Sequence, residues 1–229
     1  TAFCFSLQDP PSAEMDKALF ANRHLVLNIP CGRKQVEPGV FSTAMSRLID
    51  RAFSAGLKGL VFVSTSSVYG NLQGRINESA VPQPDTQSGK EHLAIERHIM
   101  QSYPASTILR LSGLVGADRH PIRHLSGRDA IAGGEQSINL IHRDDVISAL
   151  TCILEKQIWG KVLHLSCSDH TRRDDYYIKA AEAFSLPPPG FVAAPSEASG
   201  KQLDCEQTLS SLGMTLQYQS VFDLLPGRG

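Results

Sequence analysis

No apolar run in this 229-residue chain approaches the roughly 20 residues needed to cross a bilayer as a helix. Its opening residues carry no basic-then-apolar leader pattern, so a cytoplasmic protein is expected. Excess charge of either sign is also missing: 22 Lys and Arg stand against 23 Asp and Glu, a formal net charge of -1. Such a balance creates no field to attract nucleic acid or an anionic membrane, and neither is expected as a partner. Cysteine is sparse. Cys4, Cys31, Cys152, Cys167 and Cys205 are scattered, odd in number and never spaced as CxxC. That pattern excludes a disulfide framework and a cysteine zinc site, and implies reduced thiols packed as small hydrophobes. No cysteine or carboxylate cluster joins the histidines, so no metal is expected. Internal repeats and low-complexity tracts are absent as well.

What is present is an alternation of short β-like runs with longer amphipathic stretches. The length suits one large domain, or one domain with a small C-terminal lobe. Thr1 to Leu7 (TAFCFSL) reads as a strand, followed by a helix from an N-capping Ser12 to about Ala21. HLVLNIP, His24 to Pro30, reads as a buried strand ended by proline. Phe41 to Ala55 places Ala44, Leu48, Ala52 and Ala55 at helical spacing, with Gly56 at the stop. GLVFVST is the strongest strand signal, and a helix over 86–102 follows a proline-containing loop. STILRLSG and INLIH read as further strands, and Arg143 to Glu155 as a helix opened by aspartates. KVLHLSC closes the clear alternation, with a helix over 172–184 behind it. Strands joined by helical crossovers predict an α/β fold, a mostly parallel sheet with helices on both faces. Ligands of such sheets lie at strand carboxyl ends, which points to the loops after Ile29, Val63, Leu111 and Ile141. From Leu186 the pattern weakens: LPPPGF reads as a rigid linker, and Ser199-Gly200 and Leu212-Gly213 as turns. A main domain over 1–185 and a small C-terminal lobe over 186–229 are expected.

VFVSTSSVYG, Val61 to Gly70, carries a more specific signature. It resembles the extended short-chain dehydrogenase/reductase family of nucleotide-sugar epimerases and dehydratases, in which a strand ends in Ser-Ser/Thr closely followed by VYG. Three more segments fall in that family's order. NESAVPQP (Asn77 to Pro84) is similar to its glutamate-and-proline loop, and ILRLSGLVG (Ile108 to Gly116) to its arginine-bearing strand. INLIHRDDVISAL (Ile138 to Leu150) is similar to its strand-to-helix junction. The Arg-His-Pro at Arg119 to Pro121 resembles an atypical bacterial branch of the family. The resemblance implies a Rossmann-like domain, NAD or NADP as cofactor and a small nucleotide-sugar-like substrate. It sets Asn28, Pro30, Ser64, Leu111 and Gly113 against the cofactor, and Thr65 at the family's proton-relaying hydroxyl.

The departures are as informative. The family opens with a strand and GxxGxxG, whose glycines admit a pyrophosphate to a helix N-terminus. This chain has no such motif and starts at what looks like the family's third strand, as if the first two βα units were missing. Gly113 and Gly116 follow a late strand and read as a turn. The family's Tyr-x-x-x-Lys pair, in which lysine lowers the tyrosine pKa, aligns with Ser88 and His92. Ser66 and Ser67 stand where dehydratases keep Asp-Glu. Candidate catalytic residues are therefore Thr65, Ser88 and His92, each with a bland alternative; for Thr65 that is a hydroxyl bonded to nearby backbone. Ser66, Arg119, His120 and Arg123 are candidate substrate contacts, the basic loop being either a phosphate site or a solvated face. Tyr69 is expected to pack, Arg110 to anchor a backbone group or carboxylate, and His142, Asp144 and Asp145 to be structural. Three readings stay open: a weak or inactive oxidoreductase, a non-catalytic binding domain, or a fragment of a longer cofactor-competent protein. A strand edge left by the missing units is expected to be rebuilt or covered in a homodimer.

Overall fold

The computed structural model describes residues 7, 12–32, 37–116, 119–193 and 199–227. The strand expected over Thr1 to Leu7 lies outside these, apart from Leu7. Helix α1 (Ala13–Phe20) starts where Ser12 accepts the Met15 amide at 3.3 Å, the capping bond its side chain was expected to make. Strand β1 (His24–Leu27) leads to α2 (Val40–Ser54), which stops before Gly56 at φ +95. Strand β2 (Gly59–Thr65) ends in a single helical turn over Ser66–Tyr69, then β3 (Gly74–Ile76) and α3 (Gln87–Ser102) follow. The remainder runs through β4 (Ser106–Leu111), β5 (Gly113–Val115), α4 (Ile122–Leu125), β6 (Leu140–His142) and α5 (Arg143–Glu155). It closes with β7 (Val162–Leu165), α6 (Arg173–Ala183), β8 (Lys201–Leu203) and α7 (Glu206–Leu212). No helix among the described residues is long and apolar enough to cross a membrane.

The main sheet has the order β1-β2-β4-β7, and β1 runs parallel to β2 with His24 opposite Gly59. Two parallel two-stranded pairs, β3-β8 and β5-β6, complete the strands. The mostly parallel α/β architecture is the one the alternation predicts. β1 is shorter and more exposed than HLVLNIP suggests, with only Leu27 buried. It stands at the end of the sheet order, and among the described residues only β2 pairs with it. Gly113, read as a turn, opens β5 instead. β3, β8 and α7 escaped the sequence reading because elements of three to seven residues carry too little periodicity to register.

The chain divides into two compact units, Thr1–Gly70 with Pro82–Arg110 and Cys152–Leu163, and Asn71–Val81 with Leu111–Thr151 and His164–Gly229. The core of the first is made by Phe20, Leu27, Met45, Ile49, Leu60, Phe62, Ile95 and Ile99, where α1, α2 and α3 meet the sheet. Each such side chain contributes roughly 1.5–3 kcal/mol by leaving water. The core of the second gathers Val115, Ile122, Leu140, Tyr176, Ala180, Val221 and Leu224.

Candidate functional site

In the first unit, β2 delivers Ser64 and Thr65 to its carboxyl end. Thr65 Oγ1 accepts the Ser67 amide and donates to Ser67 Oγ, both at 3.1 Å. Its hydroxyl therefore caps the one-turn helix behind it, the local bonding expected of a strand-end threonine. Ser66 is half-buried in that turn and is engaged as well. Ser64 points the other way. Its hydroxyl donates to Glu96 Oε1 at 2.6 Å, and Glu96 receives Arg110 through Nη2 at 2.6 Å and Nε at 3.1 and 3.2 Å. Arg110 Nη1 also donates to Tyr69 Oη at 3.0 Å, with the guanidinium 4.9 Å from the ring centre. All four side chains are buried. Burial by itself would lower the Arg110 pKa, but the bond and charge of Glu96 outweigh it and the net direction is up. Tyr69 thus packs and Arg110 anchors a carboxylate, as expected; Glu96 as that carboxylate had no signal in the sequence reading.

Helix α3 brings Ser88, Glu91 and His92 to the same end. Its first turn lies against the Ser66–Tyr69 turn because Gly89 has no side chain: a Cβ there would stand 2.6 Å from the Ser67 carbonyl oxygen. His92 is buried between Phe41 and Phe62, with ring centres 5.7 and 6.0 Å away. Its Nδ1 lies 2.8 Å from the Ser88 carbonyl oxygen and 3.5 Å from Ser88 Oγ. A carbonyl only accepts, so Nδ1 must carry the hydrogen and has no lone pair to offer the serine hydroxyl. Glu91 caps α2 from outside, accepting the amides of Gly39 at 2.6 Å and Ser42 at 2.7 Å. Gly39 has no side chain to do so itself. Burial opposes ionisation of Glu91, but the two amides outweigh it and hold its carboxyl below the usual range. Asn28 and Pro30 are exposed on the loop after β1. Next to them the Cys31 thiol is pushed up by burial and by the charge of Glu91, against a hydrogen bond with Ser88. Cys31, read from sequence as packing, thus adjoins Ser88. Asn28, Pro30, Ser64, Thr65, Ser66, Ser88 and His92 all belong to this unit.

The other candidates belong to the second unit. Leu111 is buried at the end of β4, and Gly113 is exposed at the start of β5, where a Cβ would meet Leu140 Cδ2 at 2.7 Å. Arg119 and Arg123 are exposed, and Arg123 lies 5.5 Å from the centre of the Phe184 ring. His120 is different. It is buried, its Nδ1 accepts the Ile122 amide at 3.2 Å, and its Nε2 lies 2.8 Å from Tyr176 Oη. With Nδ1 accepting, the hydrogen sits on Nε2, and both nitrogens are spent inside the core. His142 accepts the Asp144 amide, with its ring centre 3.9 Å from that of Tyr218 and tilted by 35°, while Asp145 accepts the amides of Gln217 and Tyr218. Asp145 thereby ties the C-terminal segment to α5, while the Asp144 side chain is 45% exposed, 3.5 Å from His142 Nδ1. Among the described residues no group of His, Cys, Asp and Glu is placed to hold a metal ion.

Burial, with the charge of Arg123 beside it, pushes His120 down to about 4 from an ordinary 6.5. The unfolded chain takes up this proton as pH falls through 6.5, whereas the folded one resists until about 4. Stability is therefore held above pH 6.5 and lost progressively toward pH 4, by about 3 kcal/mol for a shift of this size. Urea unfolding across this window is expected to show the loss in the wild type and a flatter profile in His120→Gln. Parallel profiles would refute the assignment.

Residues 42–163 match the NAD dependent epimerase/dehydratase family. Protein YeeZ of Escherichia coli strain K12 is 32% identical over 209 residues, which cover 90% of this chain and 75% of YeeZ. Among solved structures, a functionally unknown conserved protein from Silicibacter pomeroyi DSS is 22% identical with a TM-score of 0.69, over 86% of this chain and 74% of its own. UDP-glucuronic acid 4-epimerase from Bacillus cereus, in complex with NAD, is 21% identical with a TM-score of 0.75, over 93% and 74%. A short-chain dehydrogenase/reductase superfamily protein from Agrobacterium tumefaciens with bound NAD is 17% identical with a TM-score of 0.77, over 97% and 82%. At those identities the structures speak to fold alone: Rossmann-like α/β.

Proposed function

The chain belongs to the NAD dependent epimerase/dehydratase family, and from that premise we propose that it is an oxidoreductase-type protein for a nucleotide-sugar-like substrate with little or no hydride transfer by this chain itself. One observation carries the second half of this reading. Where the family keeps a phenol and an ammonium, this chain has a serine hydroxyl and an imidazole whose Nδ1 hydrogen is given to the Ser88 carbonyl. Neither group can relay a proton as the pair does: the serine is far too weak an acid, and the imidazole nitrogen beside it is no base toward it.

A nicotinamide cofactor would supply hydride exchange with the substrate. The residues present fit that role only in part. Asn28, Pro30, Thr65 and Ser66 offer a surface at the strand ends, but the Ser64 hydroxyl is committed to Glu96 and His92 is enclosed by aromatic rings. In this reading Arg119 and Arg123 are the substrate-phosphate contacts, with residues 1–185 as the cofactor-type domain and 186–229 as a substrate-lobe segment, in a cytoplasmic homodimer. The aromatic enclosure of His92 equally favours a second reading, a family-shaped binding domain without catalysis.

Titration of the purified chain with NADH and NADPH, following nicotinamide fluorescence and thermal stabilisation, separates the two. Saturable binding at micromolar cofactor is the result expected of the oxidoreductase-type reading. Absence of binding up to millimolar cofactor would sink it and leave the binding domain.

A further inference from the structure

The second unit contains a cavity of about 390 Å³, apart from every position named so far as a cofactor or substrate contact and within the range of roughly 300–1,000 Å³ typical of small-molecule sites. It is bounded by β3, β8, the start of α7 and the segment after β7, and the residues lining it come from across the sequence. Arg75 on β3 holds Asp204 at 2.8 Å and Glu206 at 3.7 Å. Asp204 thereby offsets its charge, and Arg75 and Glu206 are 69% and 85% exposed and screened by water, so little field remains to select an ion. Gln202 donates through Nε2 to Ser137 Oγ at 3.2 Å, which fixes its amide plane and leaves the carbonyl as an acceptor.

His170 completes the wall. Its Nδ1 is buried without a hydrogen-bond partner. An unmade N–H inside a protein is rarer than an unmade lone pair, so the hydrogen belongs on Nε2. Burial also lowers the pKa of His170, against the charge of Asp169, which keeps the ring a neutral donor. Leu203 and Leu209 supply an aliphatic patch to the same cavity.

These features discriminate between ligand classes. A phosphate or carboxylate would have to compete with Asp204 for Arg75. A nucleobase would want an aromatic platform, and no Phe, Tyr or Trp lines the cavity among the described residues. No metal-holding group occurs among the described residues. What remains matched is a neutral molecule with many hydroxyls and a C–H face: planar polar side chains take its hydroxyls pairwise, and the leucines take the face. We propose that this cavity is a binding site for a neutral saccharide, lined by none of the residues at the end of β2 and independent of whether those residues take a dinucleotide.

The test is an NMR titration of the labelled chain with D-glucose and N-acetylglucosamine, and in parallel with inorganic phosphate and adenosine. The His170 imidazole and Gln202 side-chain amide signals report the site. Saturable shifts of both with at least one sugar in the millimolar range are expected. Gln202→Ala and His170→Ala should each weaken that binding about tenfold with unchanged thermal midpoints. No saturable shift up to about 100 mM sugar would overturn the proposal, as would saturation by phosphate or adenosine in place of the sugars. Sugar binding that survives both substitutions in folded protein would overturn it too.

Discussion

Replacing Gly70 by alanine is expected to cost most of the stability of the fold. Gly70 ends the Ser66–Tyr69 turn at φ 53 and ψ -132, a conformation that side-chain-bearing residues essentially do not adopt. A Cβ there would also stand 2.1 Å from the carbonyl oxygen of Gln83 and 3.3 Å from the Asp85 nitrogen. These are backbone atoms and cannot swing aside. Strain of about 1–3 kcal/mol from the dihedral angles adds to the steric clash, against a total stability on the order of 5–15 kcal/mol. Gly74 is the matched control: its φ is +76, but a Cβ would meet nothing within 4 Å. Gly74→Ala should therefore lose only about 1 kcal/mol. Denaturant midpoints or soluble yield of the two variants check this. Equal losses would exclude the close approach of Gly70 to the Gln83 carbonyl as the cause.

Breaking the buried pair of Glu96 and Arg110 is expected to be nearly as damaging. Each holds the other at 2.6 Å, and the side chains are 3% and 6% exposed. Glu96→Ala leaves a guanidinium without its countercharge and strands the Ser64 hydroxyl; Arg110→Ala leaves a bare carboxylate and takes a donor from Tyr69. Each single variant should lose about 3–5 kcal/mol. The double variant Glu96→Ala with Arg110→Ala should be less damaged than the sum, because no buried charge is left unpaired. A thermodynamic cycle from chemical denaturation measures this. Strict additivity of the two single losses would mean that the pair does not act as a unit.

Local patterns in the sequence were enough for the long elements. GLVFVST, the helix over 86–102 and Arg143 to Glu155 return as β2, α3 and α5 with boundaries shifted by at most a residue. Their signals are the continuous apolar run of a buried strand and the 3.6-residue period of an amphipathic helix, both of which act within one segment. Ser12 is a cap for the same reason: its partner is three residues away. The site was legible only as positions. Thr65, Ser88 and His92 could be set against a family pattern, but their state depends on atoms from elsewhere in the chain.

The sequence by itself therefore determined the alternation of strands and helices, the family signature and the absence of a Tyr-x-x-x-Lys pair at Ser88 and His92. These are matters of residue type and short-range spacing. Only the tertiary structure decided that Ser64 turns inward to Glu96, 32 residues away, and that Glu91 caps a helix start 49 and 52 residues before it. It likewise decided that His120 is buried and bonded to Tyr176, 56 residues on. The reason is physical: a polar side chain is chemically available only if folding leaves its hydrogen bonds unmade, and long-range packing settles which bonds are made.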